Sequence, residues 1–163
     1  MLHEADLAYG NLIDAELVDV ELERAQLSSL SLDNARIVRG SFAAAVMHIA
    51  KLPSAKIEST VFDGAQLQRS DMRGADFGRE PGGADATTAG ARFERCDLRE
   101  TTWEGRDLSG ASFIRCKLGA MTGRPAAIAG VTISEPDLSP AGDGSDIANA
   151  REVLALWAVT GAR

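Results

Sequence analysis

The side chains best suited to chemistry in this sequence are carboxylates, and they are concentrated near its start. Residues 1–35 contain eight acidic residues and one base, Arg24, a net charge of -7 that equals the formal net charge of the whole 163-residue chain. The acidic residues are Glu4, Asp6, Asp14, Glu16, Asp19, Glu21, Glu23 and Asp33. Because clustered charges of one sign create a strong local potential, this segment is suited to binding a cationic surface.

Groups that usually perform catalysis are sparse. His3 lies near the start, and no partner for His48 is defined by the sequence. Cys96 and Cys116 lie twenty residues apart, without the Cys/His spacing of a zinc site. The sequence has neither a Walker-type phosphate loop nor a Gly-x-Ser-x-Gly nucleophile turn. We therefore expect no catalytic residues, no metal and no cofactor, and predict that the protein is not an enzyme.

A five-residue period determines which elements position these groups, because every fifth residue from Leu2 to Phe77 is large and apolar. These positions are Leu2, Leu7, Leu12, Leu17, Leu22, Leu27, Leu32, Ile37, Phe42, Met47, Leu52, Ile57, Phe62, Leu67, Met72 and Phe77. A step of five spreads side chains around an α-helix and alternates them across a strand. The chain must instead turn a corner every five residues, as a solenoid does, with the large residues on a central axis.

A small residue usually precedes the large one by two, and this small-x-large-x-x unit resembles the pentapeptide-repeat family. Ala5-Asp6-Leu7, Ala75-Asp76-Phe77 and Cys96-Asp97-Leu98 match the family consensus of Ala-Asp/Asn-Leu followed by two variable residues. The resemblance covers roughly residues 2–138. It implies an all-β fold, a right-handed quadrilateral β-helix with four pentapeptides per coil. We therefore predict about six coils in residues 1–139.

The period is interrupted once and resumes at Phe93. Cutting out residues 80–90 restores it and places Phe42, Phe62, Phe93 and Phe113 in one column, one per coil. Rings repeated at the ~4.8 Å spacing of neighbouring coils would then stack in one pile. We therefore predict that residues 80–90 form a loop extruded from one corner of the solenoid.

The C-terminal part, residues 140–163, contains a linker and a segment with helical periodicity. The repeats stop at Ser139, and the helix has Ser145 or Asp146 as candidate N-cap and Gly161 as a stop. Two roles remain open: the helix covers the last coil, whose edge would otherwise be unpaired, or it forms a homodimer contact, as the resemblance suggests. The candidate residues for either role are Ile147, Leu154 and Trp157.

The resemblance also implies a function. Pentapeptide proteins that confer quinolone or albicidin resistance are acidic rods that imitate duplex DNA and bind type II topoisomerases. We therefore predict that this protein binds DNA gyrase or topoisomerase IV, protects it from topoisomerase poisons, and does not itself bind nucleic acid. The candidate partner-binding residues are acids of the first coils and two arginines that flank the loop: Asp6, Asp14, Glu16, Asp19, Glu21, Glu23, Arg79 and Arg92.

The charge distribution supports DNA mimicry at one end of the rod. Duplex DNA carries one charge per ~1.7 Å of axis, a density that only the first 35 residues reach. Residues 36–79 contain seven bases and four acids. The alternative function is a protein-interaction scaffold or regulatory adaptor with an unnamed partner. No segment has the apolar length of a membrane span and the start lacks a secretory signal, so we expect a cytoplasmic protein.

Overall fold

The computed structural model describes residues 2–78 and 86–159 and shows a β-solenoid of about six turns followed by one short helix. The predicted fold class is confirmed. Short strands pair in parallel between coils. One sheet contains β1 (Glu16–Val18), β2 (Arg36–Val38) and β3 (Lys56–Glu58). The other contains β4 (Gln66–Gln68), β5 (Arg92–Glu94), β6 (Ser112–Ile114) and β7 (Thr132–Ser134), and the helix α1 spans Ala150–Val159.

The register of the pairing divides the wall into four faces. Before the interruption, equivalent residues of neighbouring coils are twenty positions apart, as Leu17 and Ile37 are. We number the faces by the inward residue of the first coil, so that the first to fourth faces contain Leu2, Leu7, Leu12 and Leu17. Strands β1 to β3 therefore lie on the fourth face, and β4 to β7 lie on the second.

Two side chains of each pentapeptide point inward, and a local backbone feature makes the corner. Ala25 and Leu27, for example, are both fully buried. The residue two positions after the large one usually has a positive φ, for example 61° at Tyr9 and 60° at Ile49. This conformation is rare for residues other than glycine, and for a β-branched residue it is strained. The amides of Tyr9 and Ile49 donate hydrogen bonds to carbonyl oxygens of the next coil, so bonds between coils stabilise this turn.

The predicted loop is wrong in its second half, because residues 86–90 form one side of a coil. Leu67 pairs with Phe93, 26 positions later. Thr87 bridges both Val61 and Asp107, in the coils on either side. The interruption therefore adds six residues to the usual twenty, whereas the sequence predicted eleven. Residues 80–85, the first part of the predicted loop, lie outside the described residues.

Thr88 is the reason that the register predicted from the sequence was wrong. It occupies an inward position that the period reserves for a large apolar residue, and it is fully buried. Its hydroxyl donates a hydrogen bond of 3.2 Å to the carbonyl oxygen of Asp107. Burial of a hydroxyl is tolerated when the group is hydrogen-bonded, so a polar residue can hold this position.

The corrected register also separates the aromatic rings that were predicted to form one pile. Phe42 and Phe62 stack on the first face with centroids 4.9 Å apart, and Phe93 and Phe113 stack at 4.9 Å on the second. A third stack joins Phe77 to Trp103, with centroids 4.5 Å apart and planes 1° from parallel. Edge contacts connect the stacks, because Phe62 meets Phe77 at 71° and Phe93 meets Trp103 at 87°. The core is a mixed aromatic cluster across three faces.

One charged side chain lies inside this core. Arg106 is fully buried and occupies the inward position two residues before Leu108, where most repeats have a small residue. Its guanidinium carbon lies 5.8 Å from the centroid of the Phe62 ring and 5.4 Å from that of Phe77. Burial lowers its pKa to about 9, while the nearby carboxylates of Asp63 and Asp76 oppose the shift. The group is therefore charged at neutral pH.

The helix begins later than predicted. Asn149 is its N-cap, because the Asn149 side chain accepts a hydrogen bond of 3.2 Å from the amide of Glu152. The Glu152 carboxylate in turn accepts one of 2.8 Å from the Asn149 amide, which completes a capping box. Neither Ser145 nor Asp146 is the cap. Ile147 precedes the helix and forms an antiparallel bridge with Asp137. The predicted stop, Gly161, lies outside the described residues.

Candidate protein-interaction surface

The acids predicted to bind a partner encircle the first coils. We refer to Asp6, Asp14, Glu16, Asp19, Glu21 and Glu23 as the acidic collar. Glu21 and Glu23 lie on the first face, Asp6 on the second and Asp14 on the third, while Glu16 and Asp19 lie on the fourth. Residues in sequence order follow the chain around the corner, so the collar is a ring at one end of the rod. No single face collects the whole set.

Cations of the second coil neutralise part of the collar. Arg36 lies 3.0 Å from the Glu16 carboxylate. Arg39 holds both carboxylate oxygens of Asp19, at 2.7 and 3.0 Å. The hydrogen bond from Arg39 lowers the pKa of Asp19 below its ordinary value. These partners are one coil apart, so the solenoid aligns opposite charges into ladders whose exposed pairs each contribute little stability.

Two members of the collar have no ion-pair partner among the described residues. The Asp6 carboxylate accepts a hydrogen bond of 3.0 Å from the backbone amide of Ala8. Asp14 accepts one of 3.3 Å from the side-chain amide of Asn34, which is uncharged. Both side chains belong to exposed residues. Asp6 and Asp14 are therefore the collar carboxylates that are most available to a cationic partner.

The two collar acids on the first face lie beside a histidine. His3 Nδ1 is 2.6 Å from the Glu23 carboxylate, and His3 Nε2 is 3.5 Å from that of Glu21. A hydrogen bond with Ser41 lowers the pKa of Glu23 below its ordinary value, with a smaller contribution from His3. Glu23 is therefore ionised at neutral pH, and His3 bridges two coils of the collar.

Arg92, one of the two arginines of the prediction, does not lie at the collar. Arg92 lies on the second face, four coil steps from Asp6, which is roughly 19 Å at the usual spacing of strands. It lies 2.8 Å from the carboxylate of Glu94, and its hydrogen bond lowers the pKa of Glu94. Arg79 lies outside the described residues. The predicted partner-binding residues therefore belong to at least two separate surfaces.

The C-terminal candidates differ in burial. Trp157 is 3% exposed, and its ring lies 5.7 Å from that of Phe113 at an angle of 62°. Leu154 is partly buried against the core, whereas Ile147 is 58% exposed. Helix α1 therefore packs on the last coils through Trp157. The prediction that it also joins two rods into a dimer stays a prediction.

Two cations of the wall were missed by the sequence analysis. Arg69 and Arg95 follow the paired residues Gln68 and Glu94 by one position, so they lie in adjacent coils of the second face. Both are exposed. The predicted eleven-residue loop would have placed Arg95 beside Gly64, which hid this relationship. Both arginines stand two residues after a large apolar residue, and the sequence shows this. Their neighbourhood became visible only when the coil that contains the interruption was known to be 26 residues long.

The described residues contain no group of three or more His, Cys, Asp or Glu side chains that could hold a metal ion. Cys96 and Cys116 are free and buried at equivalent inward positions. Over the same part of the chain, no helix has the length and apolar character needed to cross a membrane.

A family model described as pentapeptide repeats matches the chain in eight copies, over residues 2–37, 42–79 and 89–119. These ranges include more than half of the sequence. No curated protein matches it.

Three solved structures are similar to the chain, and the first of them supports the fold. A pentapeptide repeat protein, Rfr23 from the cyanobacterium Cyanothece 51142, is 15% identical, with a TM-score of 0.54 over 79% of this chain and 88% of that one. HetL from Nostoc sp. strain PCC 7120, involved in heterocyst differentiation regulation, is 20% identical, with a TM-score of 0.40 over 88% and 70%. QnrB1, a plasmid-mediated fluoroquinolone resistance protein, is 14% identical, with a TM-score of 0.37 over 80% of each chain.

Proposed function

Because the chain belongs to the pentapeptide-repeat family, we propose that it is a non-enzymatic rod that binds a protein partner through its acidic collar. The observation that carries this proposal is the pair of exposed carboxylates, Asp6 and Asp14, that no described cation neutralises. Carboxylates without a partner attract cationic groups and lose less on binding than those that must first break an ion pair.

The proposed partner is a type II topoisomerase, DNA gyrase or topoisomerase IV, and the rod protects it from poisons as a partial DNA mimic. The resemblance of the repeats to the resistance members of the family supports this choice of partner. The ring-like distribution of the collar favours contact through the end of the rod. A mimic that used one lateral face would need its acids aligned along that face, since duplex phosphates follow the helix axis. We place this activity in the cytoplasm.

A gyrase supercoiling assay with titrated protein tests the partner. Wild-type protein is expected to inhibit supercoiling or to protect the enzyme from a quinolone at micromolar concentration. The double variant Asp6→Asn/Asp14→Asn should act more weakly, because it removes two charges from the collar. Glu100→Gln is the matched control, since Glu100 is an exposed acid on the third face away from the collar. Absence of both inhibition and protection would refute a topoisomerase partner.

DNA mimicry is tested separately by competition. A mimic displaces duplex DNA from gyrase, so increasing protein should lower the fraction of labelled DNA that the enzyme retains. Inhibition without displacement would mean that the rod binds elsewhere on the enzyme.

The second candidate function is a scaffold or adaptor with a different partner. The composition of the second face favours it, because Tyr9 is 83% exposed and Ile49 is 53% exposed on that face. Tyrosine and arginine are enriched in the centres of protein interfaces, and Arg69 and Arg95 continue the same column. A partner captured through this face would leave the collar free.

A further inference from the structure

We propose that the second face between Ile49 and Arg95 binds an acidic peptide segment of a partner protein. This surface, the basic groove, has a volume of about 180 Å3 and is lined by His48, Ile49, Gln68, Arg69, Glu94 and Arg95. It begins two coil steps from Asp6, the collar acid on the same face. It belongs to the face that favours the scaffold function, but it is separate from the collar contact proposed for a topoisomerase, and either contact could fail without the other.

Most arginines elsewhere on the wall are paired with carboxylates. Ladder or neighbouring carboxylates neutralise most of them, as Asp19 does Arg39 and Glu135 does Arg115. The arginines with such ion pairs include Arg24, Arg36, Arg39, Arg73, Arg92, Arg99 and Arg115. The solenoid thus has a regular way to satisfy an exposed guanidinium.

Arg69 and Arg95 depart from that arrangement. Neither forms an ion pair or a side-chain hydrogen bond with any residue in the ranges 2–78 and 86–159. They follow Gln68 and Glu94, which pair directly, so two cations occupy neighbouring rungs about 4.8 Å apart along the axis. Like charges at this distance are unfavourable, and an anion that bridges both guanidiniums removes the repulsion.

The one carboxylate of the groove is already engaged. Glu94 accepts hydrogen bonds of 2.8 Å from Arg92 and 3.2 Å from the side-chain amide of Gln68. Its hydrogen bonds are therefore made with Arg92 and Gln68, although the charge of Arg95 also acts on it, and it places a negative charge at one side of the groove. The two arginines remain available to a ligand. Each guanidinium group has about five N–H donors, so the pair offers about ten.

The surroundings favour a peptide over a nucleic acid. Ile49 is 53% exposed at the end of the groove and offers contact to an apolar side chain, which a phosphate backbone lacks. Glu94 within the groove and the net charge of -7 repel a dense polyanion more strongly than they repel one or two carboxylates. Guanidinium groups match carboxylates in bidentate geometry, so a segment with two acidic residues and an adjoining apolar one fits these groups.

The test is a fluorescence anisotropy titration of the full chain with a fluorescein-labelled oligo-glutamate peptide that contains one leucine, at low ionic strength. The wild-type protein is expected to bind the peptide. The double variant Arg69→Ala/Arg95→Ala should lose about tenfold in affinity, because it removes the charge-assisted hydrogen bonds to the peptide carboxylates. Both residues are exposed, so the variant should fold, which circular dichroism checks.

Arg115→Ala is the matched control, because Arg115 lies one coil beyond Arg95 in the same column but is paired with Glu135. It should change the affinity by less than about twofold, as expected for a group that is already neutralised. An equal loss in Arg115→Ala would show nonspecific attraction and overturn the proposal. Failure of the wild-type protein to bind, or tighter binding of a DNA duplex through Arg69 and Arg95, would overturn it as well.

Discussion

The Nε atom of Arg106 donates a hydrogen bond of 2.9 Å to the carbonyl oxygen of Phe77, 29 residues earlier in the chain. One Nη atom donates to the carbonyl oxygens of Thr60, at 2.9 Å, and Thr87, at 3.2 Å. Phe77 and Thr87 stand on either side of the interruption in the repeat. A single buried side chain therefore joins the coil before the inserted residues to the coil after them.

Replacing Arg106 by methionine should destabilise the protein by about 3 kcal/mol, because it leaves several buried carbonyl oxygens without a donor. The expected change is a lower free energy of unfolding in urea. Arg115→Met serves as control, since Arg115 is on the exposed wall and should change the stability by about 0.5 kcal/mol or less. A variant Arg106→Met as stable as this control would show that apolar packing replaces the buried cation at no cost.

The aromatic register can be tested by double-mutant cycles with leucine. Phe42 and Phe62 are stacked, so their substitutions should be coupled by about 1 kcal/mol. Phe62 and Phe93, which the sequence predicted to be neighbours in one column, lie on different faces and should be coupled far more weakly. Urea unfolding of the single and double variants gives both coupling energies. Strong coupling between Phe62 and Phe93 would support the predicted register, in which an eleven-residue loop interrupts the repeat.

Asp137 should make the stability of the last coil depend on pH. Burial raises its pKa, but hydrogen bonds from Ser139 and Gly144 outweigh this effect, so the pKa is lower in the folded protein than its ordinary value of 3.8. Asp137 therefore stabilises the fold above that ordinary value, and its contribution disappears as the pH falls through the lowered folded pKa.

The corresponding variant is Asp137→Asn, which should lower the free energy of unfolding by about 2 kcal/mol at neutral pH. The difference from wild type should shrink as the pH is lowered below 3.8. Urea unfolding over a pH series measures it. Asp6→Asn, an exposed substitution on the wall, should be nearly neutral at pH 7. A difference for Asp137→Asn that is the same at all pH values would contradict the assignment.

Helix α1 should be held by Trp157 and by its cap. Trp157→Ala removes a buried aromatic from the last coils and should cost about 3 kcal/mol. Asn149→Ala removes the cap and should cost about 1 kcal/mol. Thermal unfolding followed by circular dichroism should therefore rank the two variants in this order. The reverse order would mean that the cap, rather than packing of Trp157, holds the helix.

Light scattering of the intact chain and of a chain ending at Ser139 separates the two roles of the helix. Trp157 packs on Phe113 of its own chain. If the helix only covers the last coil, both proteins should be monomers, and the shortened one should be less stable. A dimer that becomes a monomer on truncation would show that the helix also joins two rods.

The sequence determined the fold class because its five-residue period is local and redundant. Each small-x-large-x-x unit specifies two inward side chains, and no regular helix or strand can bury that pattern. The outward position of the acids follows from the same unit, as does the ladder between Asp19 and Arg39 twenty positions apart. The N-cap was missed because several polar residues precede the helix, although Asn149 and Glu152 have the spacing of a capping box in the sequence.

Only the tertiary structure decided how the chain resumes after the interruption. Removing eleven residues aligns Phe93 with Phe62, and removing six aligns it with Leu67, so both registers satisfy the apolar pattern. The choice depends on buried polar groups that the period does not record, namely the hydrogen-bonded hydroxyl of Thr88 and the guanidinium of Arg106. Their partners are distant in sequence. The repeat unit by itself determined which residues face outward. That Arg69 and Arg95 lie side by side in neighbouring coils depends on the length of the interruption, which only the fold decided.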